Sequence, residues 1–267
     1  MMEDARRAAE RTARASYGRL LALVATRSRD VTAAEDALAH AFAAALAIWP
    51  ERGVPDRPEA WLLTAARRAI GHGERARRVR DAAQETVEML HDEASTRGTA
   101  TFPDERLGLM FVCAHPAIAA EARTPLMLQT VLGLDAARIA AAFLTAPATM
   151  SQRLVRAKAK IKAAAIRFAL PESEALAERA DDVLAAIYAA YGTGWDALAG
   201  ADEGVRGLTE EAIFLGRLTA AQLPDQPEAK GLLALMLYCE ARRSARRTRD
   251  GAFVPLDEQD TALWDRR

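Results

Sequence analysis

With 267 residues, 51% of them apolar, and a formal net charge of −1, the chain is long enough for two or three modest domains and too apolar to be wholly disordered. No run approaches the ~18 uninterrupted apolar residues of a membrane span, and the opening MMEDARRAAERTARA lacks the apolar core of a signal peptide. A cytoplasmic protein with no membrane partner is expected. The two cysteines, Cys113 and Cys239, lie far apart and argue against a disulfide framework.

Helical periodicity recurs along the chain and strand-like alternation is nearly absent, which predicts an all-α fold. The expected domains are a first helical domain over residues 1–90, a linker at 91–102, a helix-turn-helix domain over 103–168 and a third helical domain over 172–267. In the first domain Thr32-Ala33-Ala34-Glu35 reads as a capping box, the two polar side chains satisfying free amides at a helix start. Leu38, Phe42, Ala45 and Trp49 then share one face. Pro50 and Gly53-Val54-Pro55 stop that helix. A further helix starts after Pro58, carries Trp61, Leu62, Ala65 and Ile70, and runs into Arg75-Ala76-Arg77-Arg78.

Residues 92–104, DEASTRGTATFPD, are polar and broken by Gly98 and Pro103, and helical pattern resumes from about Glu105 to about Arg167. Beyond Pro171, helices are expected near 173–191, 208–222 and 227–247. Asp250-Gly251 marks a turn, with strand character in Ala252–Leu256.

Charge is partitioned along the chain. Residues 1–167 hold 25 Lys and Arg against 19 Asp and Glu, residues 168–240 hold 4 against 13, and residues 241–267 hold 7 against 5. A polyanion partner is expected for the first part only, and the acidic block beside a basic helix implies an intramolecular contact between the C-terminal and DNA-binding domains that could mask the latter. Only four basic residues are lysine (Lys158, Lys160, Lys162 and Lys230). Arginine suits phosphate and guanine, although a GC-rich coding sequence yields the same bias.

The most informative segment is residues 134–164. Asp135 can cap a short helix holding Ile139, Ala142 and Phe143. Leu144–Ala146 make a tight turn, and Pro147 stands at the first position of the next helix. There Met150, Leu154, Ala157 and Ile161 recur at helical spacing as an inward stripe, while Thr149, Gln152, Arg153, Arg156 and Lys160 face outward. From Ser151 to Arg167 there are six basic residues and no acid. A solvated amphipathic hairpin fits a basic helix alone; the turn length, Pro147 and the purity of charge favour a helix-turn-helix. Its first turn, with Ser151, can reach base edges, and the later Arg156, Lys158 and Lys160 neutralise phosphates. Cys113-Ala114-His115 lacks a second Cys/His pair at ligand spacing, so no metal or other cofactor is expected. Nor does any nucleophile, acid–base pair or phosphate-cradling loop suggest an enzyme.

The run Thr149-Met150-Ser151-Gln152-Arg153-Leu154-Val155-Arg156-Ala157-Lys158-Ala159-Lys160-Ile161 resembles the promoter-reading helix of extracytoplasmic-function sigma factors of the sigma-70 superfamily, in the subgroup with an extra C-terminal helical domain. Residues 33–70 resemble the first sigma domain, 102–119 the segment that opens the second, and 210–246 and 256–266 the C-terminal extension. The resemblance implies a dissociable RNA polymerase subunit with core RNA polymerase and promoter DNA as partners. Clamp binding then falls on Glu35, Asp36, Leu38 and Phe42; Leu38 and Phe42 also fit ordinary core. Opening of the minus-ten element falls on Arg67, Arg68, Arg75, Arg77 and Arg78, and reading of the minus-thirty-five element on Thr149, Ser151, Gln152, Arg153 and Arg156.

Departures from the subgroup fall at Ala39-His40, where a polar or acidic pair is usual, and at Gly71-His72-Gly73-Glu74, whose two glycines cost roughly 1 kcal/mol each in a helix. Gly192-Thr193-Gly194-Trp195 replaces an Asn-Glu-Gly-aromatic element, and relatives run on past the position of residue 267, implying a truncated or divergent member. Alternatives that stay open are a sigma-like decoy that binds a regulatory partner, a helix-turn-helix repressor, and an enzyme in the C-terminal domain.

Overall fold

The computed structural model describes residues 2–81, 104–196 and 207–265, with the backbone alone for 72–81, 173 and 196. The expected linker at 91–102 and His91 lie outside the described residues. The fold is all-α. Its helices are α1 (Met2–Ser28), α2 (Val31–Arg52), α3 (Pro58–Asp81), α4 (Arg106–Cys113), α5 (Ala120–Thr130), α6 (Ala136–Ala142), α7 (Pro147–Ala163), α8 (Ser173–Asp196), α9 (Leu208–Gln222) and α10 (Pro227–Ala241). Where strand character was expected near residue 252, there is one isolated antiparallel bridge, Arg247 to Phe253, and Leu256 already begins a 3-10 turn. The chain forms two compact units, Met1–Arg106 and Leu107–Arg267.

In the first unit α1, α2 and α3 pack pairwise. Leu20, Leu21 and Val24 of α1, Leu38, Ala45 and Trp49 of α2, and Leu62, Leu63 and Ala66 of α3 are buried. The Trp49 and Trp61 rings meet edge to face, centroids 5.6 Å apart, a pairing worth about 0.5–1.5 kcal/mol beyond its area. The Ser16 hydroxyl donates to the Glu59 carboxylate and ties α1 to α3. The expected capping box is displaced: α2 starts at Val31, and Asp30 is the cap, its carboxylate accepting from the Ala33 N–H at 3.1 Å. Asp caps at least as well as Thr, and starting there buries Val31. Pro50 does not stop α2 either but lies inside its last turn. The stop is Gly53, whose φ of 84° belongs to glycine and whose N–H reaches the Trp49 carbonyl at 3.0 Å.

By length and composition α2 alone among the described helices could cross a membrane, with mean hydropathy 1.4. Glu35 and Asp36 interrupt it, and its buried side packs on α1 and α3.

In the second unit α4 to α7 come first and α8 to α10 follow. The joint between the two sets is α8 against α5. Arg123 of α5 donates to Asp182 of α8 at 2.8 Å, to the Ile118 carbonyl at 3.0 Å and to that of Pro116 at 3.4 Å, while Arg179 of α8 donates to the Phe111 carbonyl at 3.4 Å. The residues expected to form separate second and third domains thus share one unit. Cys113 is buried core, its Sγ 3.7 Å from the Thr130 hydroxyl. Past α10 the chain makes a 3-10 turn at Arg243–Ala245 and two more at Leu256–Glu258 and Thr261–Leu263. It then returns, the Asp265 N–H bonding the Ala241 carbonyl at 2.8 Å.

At the α8–α9 crossing a Cβ on Gly194 would lie 2.9 Å from the backbone nitrogen of Thr209, whereas one on Gly192 would meet nothing within 4 Å. Gly194→Ala is expected to destabilise the chain by about 1–3 kcal/mol through overpacking. Gly192→Ala is expected to stabilise it by up to about 1 kcal/mol through helix propensity. Chemical denaturation of both variants checks the pair; equal midpoints would contradict the close crossing.

His115 gives a second expectation. Burial, and then the positive charges of Arg179 and Arg123, hold its pKa below the ordinary imidazole value of 6.5. Protonation of Nδ1 would also cost the bond it accepts from the Ala117 N–H at 3.1 Å. Because the unfolded chain takes up this proton first, stability falls as pH drops through 6.5 toward the lowered folded value, and is regained above it. Thermal melts across this range should show a slope that His115→Gln flattens.

Candidate nucleic-acid interface

The helix-turn-helix is built from short-range chemistry. The Asp135 carboxylate accepts from the Arg138 N–H at 2.8 Å and starts α6. Thr145 N–H returns to the Ala140 carbonyl at 2.9 Å, and Leu144 takes a left-handed φ of 49° to turn the chain. Pro147 opens α7 with an N–H fewer to satisfy. Of the residues expected inside α6, Ile139 is buried, but Ala142 and Phe143 are exposed and Ala140 takes the inner place. The α7 stripe Met150, Leu154, Ala157 and Ile161 is buried. Burying each of its larger members stabilises by roughly 1.5–3 kcal/mol.

Burial of that stripe leaves Thr149, Ser151, Gln152, Arg156 and Lys160 exposed, with Lys158 half-buried beside them. Leu144, 96% exposed, and Val155 add apolar surface that the sequence reading passed over; such groups suit a thymine methyl. Among the described residues, the acidic block meets the helix-turn-helix domain through α8 on α5.

Arg153 has another task. Pro125 lies inside α5 and has no N–H to give the carbonyl four residues back, that of Glu121. The Arg153 guanidinium donates to that carbonyl at 3.3 Å. It therefore bridges α7 to α5, which corrects its assignment as a purely outward, DNA-reading side chain.

In the first unit Arg67 and Arg68 are exposed on α3. Arg75, Arg77 and Arg78 continue the α3 backbone, and their side chains lie outside the described residues. Burial and the nearby charge of Arg27 lower the pKa of Arg67. The two exposed guanidiniums lie close enough to repel, and Arg27, two helices away in sequence, gave no motif signal.

On α2, Asp36 is exposed and Glu35 and Phe42 are half-buried. Leu38 is wholly buried and is corrected to core, since the α1–α2–α3 contacts use its face. The apolar surface that α2 does present is Ala39, Ala43, Leu46 and Ala47, with Ile48 beside them. The signal for it was a helix apolar on more than one side.

Residues 179–267 match a family of unknown function (DUF6596). A protein of Rhizobium meliloti (strain 1021), described as uncharacterized, is 38% identical over 245 residues, which are 89% of this chain and 58% of that protein. The chain thus spans less than two thirds of the length of the relative it matches. No solved structure matches.

For α7 the expected outcome is asymmetric. Arg156→Ala should weaken duplex binding on all sequences and reduce the salt slope by about one unit, as loss of a phosphate contact does. Arg153→Ala should chiefly lower thermal stability, by about 0.5–1.5 kcal/mol for one hydrogen bond. Salt-dependent anisotropy with melting curves separates the two, and a reversed pattern would refute the bridge.

Proposed function

We propose that the chain is an alternative sigma factor, a dissociable non-enzymatic subunit that brings core RNA polymerase to promoter DNA in the cytoplasm. The observation that carries this reading is the division of α7, whose buried stripe leaves an acid-free polar and basic face turned to solvent behind a capped, tight turn. Thr149, Ser151 and Gln152 stand in the first turns of α7 to meet base edges of the minus-thirty-five element, while Arg156, Lys158 and Lys160 bind phosphates. In the first unit Arg27, Arg67 and Arg68 track the backbone near the minus-ten element, with Arg75, Arg77 and Arg78 further along α3. Phosphate neutralisation makes the affinity steeply salt-dependent, and base contacts add the sequence preference.

A helix-turn-helix repressor accounts for α7 equally but has no use for the exposed apolar side of α2. Leu46 and Ile48, with Asp36 and Phe42 on the same helix, favour a protein partner for the first unit. A decoy would share both features and differ only in output. The paired substitution Asp36→Lys and Leu46→Lys, at two exposed positions, should abolish co-purification with core polymerase while circular dichroism stays helical. Run-off transcription by the unaltered chain with core polymerase then separates sigma factor from decoy. Retained co-purification of the folded double variant would sink the α2 contact, and a transcriptionally silent complex would replace the sigma reading with the decoy.

A further inference from the structure

α10 is apolar on every side, with an unbroken apolar run over residues 232–238. A helix of that kind belongs between neighbours, yet the described helices that pack on it, α9 and α8, cover one side. There Ala229 and Met236 are buried. The end of the Met236 side chain lies 2.7 Å from where a Cβ on Gly216 of α9 would stand, and the Tyr191 hydroxyl of α8 donates to the Met236 carbonyl at 3.1 Å.

The opposite side is exposed. At about 100° per residue, Gly231, Ala234, Leu235 and Tyr238 fall in one stripe on the side away from Ala229 and Met236, and Arg242 continues it. Leu235 is 49% exposed and Tyr238 74%. Gly231, with nothing within 4 Å of the place its Cβ would take, leaves a hollow beside those two projecting side chains. At the far end Arg242 shares with Trp195, Arg246, Phe253, Leu256 and Gln259 the lining of a cavity of about 200 Å³. Phe253 and Leu256, both more than half exposed, carry the apolar surface past the end of the helix.

The stripe also ends in opposite charges. Glu228 is exposed in the first turn of α10. Arg242, half-buried at the C-cap, donates to the Tyr238 carbonyl at 3.3 Å and to Cys239 Sγ at 3.7 Å, and among the described residues no carboxylate pairs with it.

A surface of this kind is complementary to itself. We propose that two copies of this chain pair through α10, antiparallel about a two-fold axis that passes between Ala234 and Leu235. Such an axis sets residues equally distant from that point opposite one another. Ala234 then meets Leu235 of the second copy, Tyr238 fills the hollow at its Gly231, and Arg242 reaches its Glu228, each contact occurring twice. Arg242 and Glu228 lie on the same flank of the stripe, as an ion pair across it requires. A parallel pairing would set Tyr238 against Tyr238 and Arg242 against Arg242, so shape and charge both select the antiparallel one. One helix of 15 residues from each copy makes a contact below the ~1,200 Å² of specific stable interfaces, and the rim charges set orientation more than strength. The dimer is therefore weak and reversible, with a dissociation constant of about 1–100 μM. It uses none of the residues assigned to DNA or polymerase.

Sedimentation equilibrium of the full chain from about 1 to 500 μM, a range spanning that constant, is the test. The average mass should climb from one chain to two and stop there, since a two-fold contact closes on itself. Leu235→Glu, at an exposed position, should leave circular dichroism and the thermal midpoint unchanged while holding the chain monomeric throughout. Glu228→Arg and Arg242→Glu should each weaken pairing by about tenfold. An equimolar mixture of those two variants should regain the affinity of the unaltered chain, because each then supplies the charge that the other needs. A chain that stays monomeric at the highest concentration leaves the stripe to a different protein and overturns the proposal. So does a folded Leu235→Glu variant that still pairs, or a pair of charge variants that associate as well as the unaltered chain. None of these results bears on the polymerase reading, which is measured with core polymerase and promoter DNA.

Discussion

The burial of Met150, Leu154, Ala157 and Ile161 fixes the rotation of α7 about its own axis, and with it the identity of every side chain on the opposite face. A helix turns about 100° per residue, so a slip of one position would carry Arg153 or Val155 to the places of Gln152 and Arg156. The stripe sets rotation; a polar contact assists in setting position. The proline in α5 frees the Glu121 carbonyl, and Arg153 reaches across to it. What looks like a defect in one helix is thereby an attachment point for the next, and the outward face inherits its order from that pairing.

A second anchor works in the same way at the other side of α5. Arg123 gathers two backbone carbonyls and the Asp182 carboxylate, so one guanidinium closes the α4–α5 turn and holds α8. The three C-terminal helices are therefore continuous with the helix-turn-helix in packing. Asp182, one of the charges that give the 168–240 block its acidity, is engaged in this joint. Further along, the crossing of α8 and α9 at Gly194 brings the backbones into near contact, and Trp195, one residue on, becomes the floor of the C-terminal cavity.

The sequence was most legible where one face alone is apolar. In α7 the spacing of Met150, Leu154, Ala157 and Ile161 admits one inward side, and Asp135 and Pro147 mark helix starts whose chemistry is local. Legibility failed in α2 because that helix is apolar nearly all round: Phe42 shares the spacing of Leu38, Ala45 and Trp49, yet it is half-buried where those three are buried. At the start of α2 the cap is Asp30, two residues before the expected Thr32, and a start there includes the buried Val31. Arg153 could not be placed because its partner is a carbonyl orphaned by a proline in another helix. Arg27 meets Arg67 only once α1 and α3 are packed. The cavity beyond α10 is formed by 3-10 turns and one bridge, which leave no periodic trace.

The scarcity of lysine has a consequence for covalent chemistry. Lys158, Lys160 and Lys162 lie on α7, and Lys230 is the only other lysine in the chain. Apart from the amino terminus, an amine-acylating reagent or an acetyltransferase meets four targets, and three of them stand on this one helix. Acylation there would strip α7 of three of its five positive charges and leave Arg153 and Arg156 as the pair that remains. The arginines elsewhere would keep their charge throughout. The electrostatics of α7 can thus be rewritten by acylation while the rest of the protein, Lys230 and the amino terminus aside, is left alone.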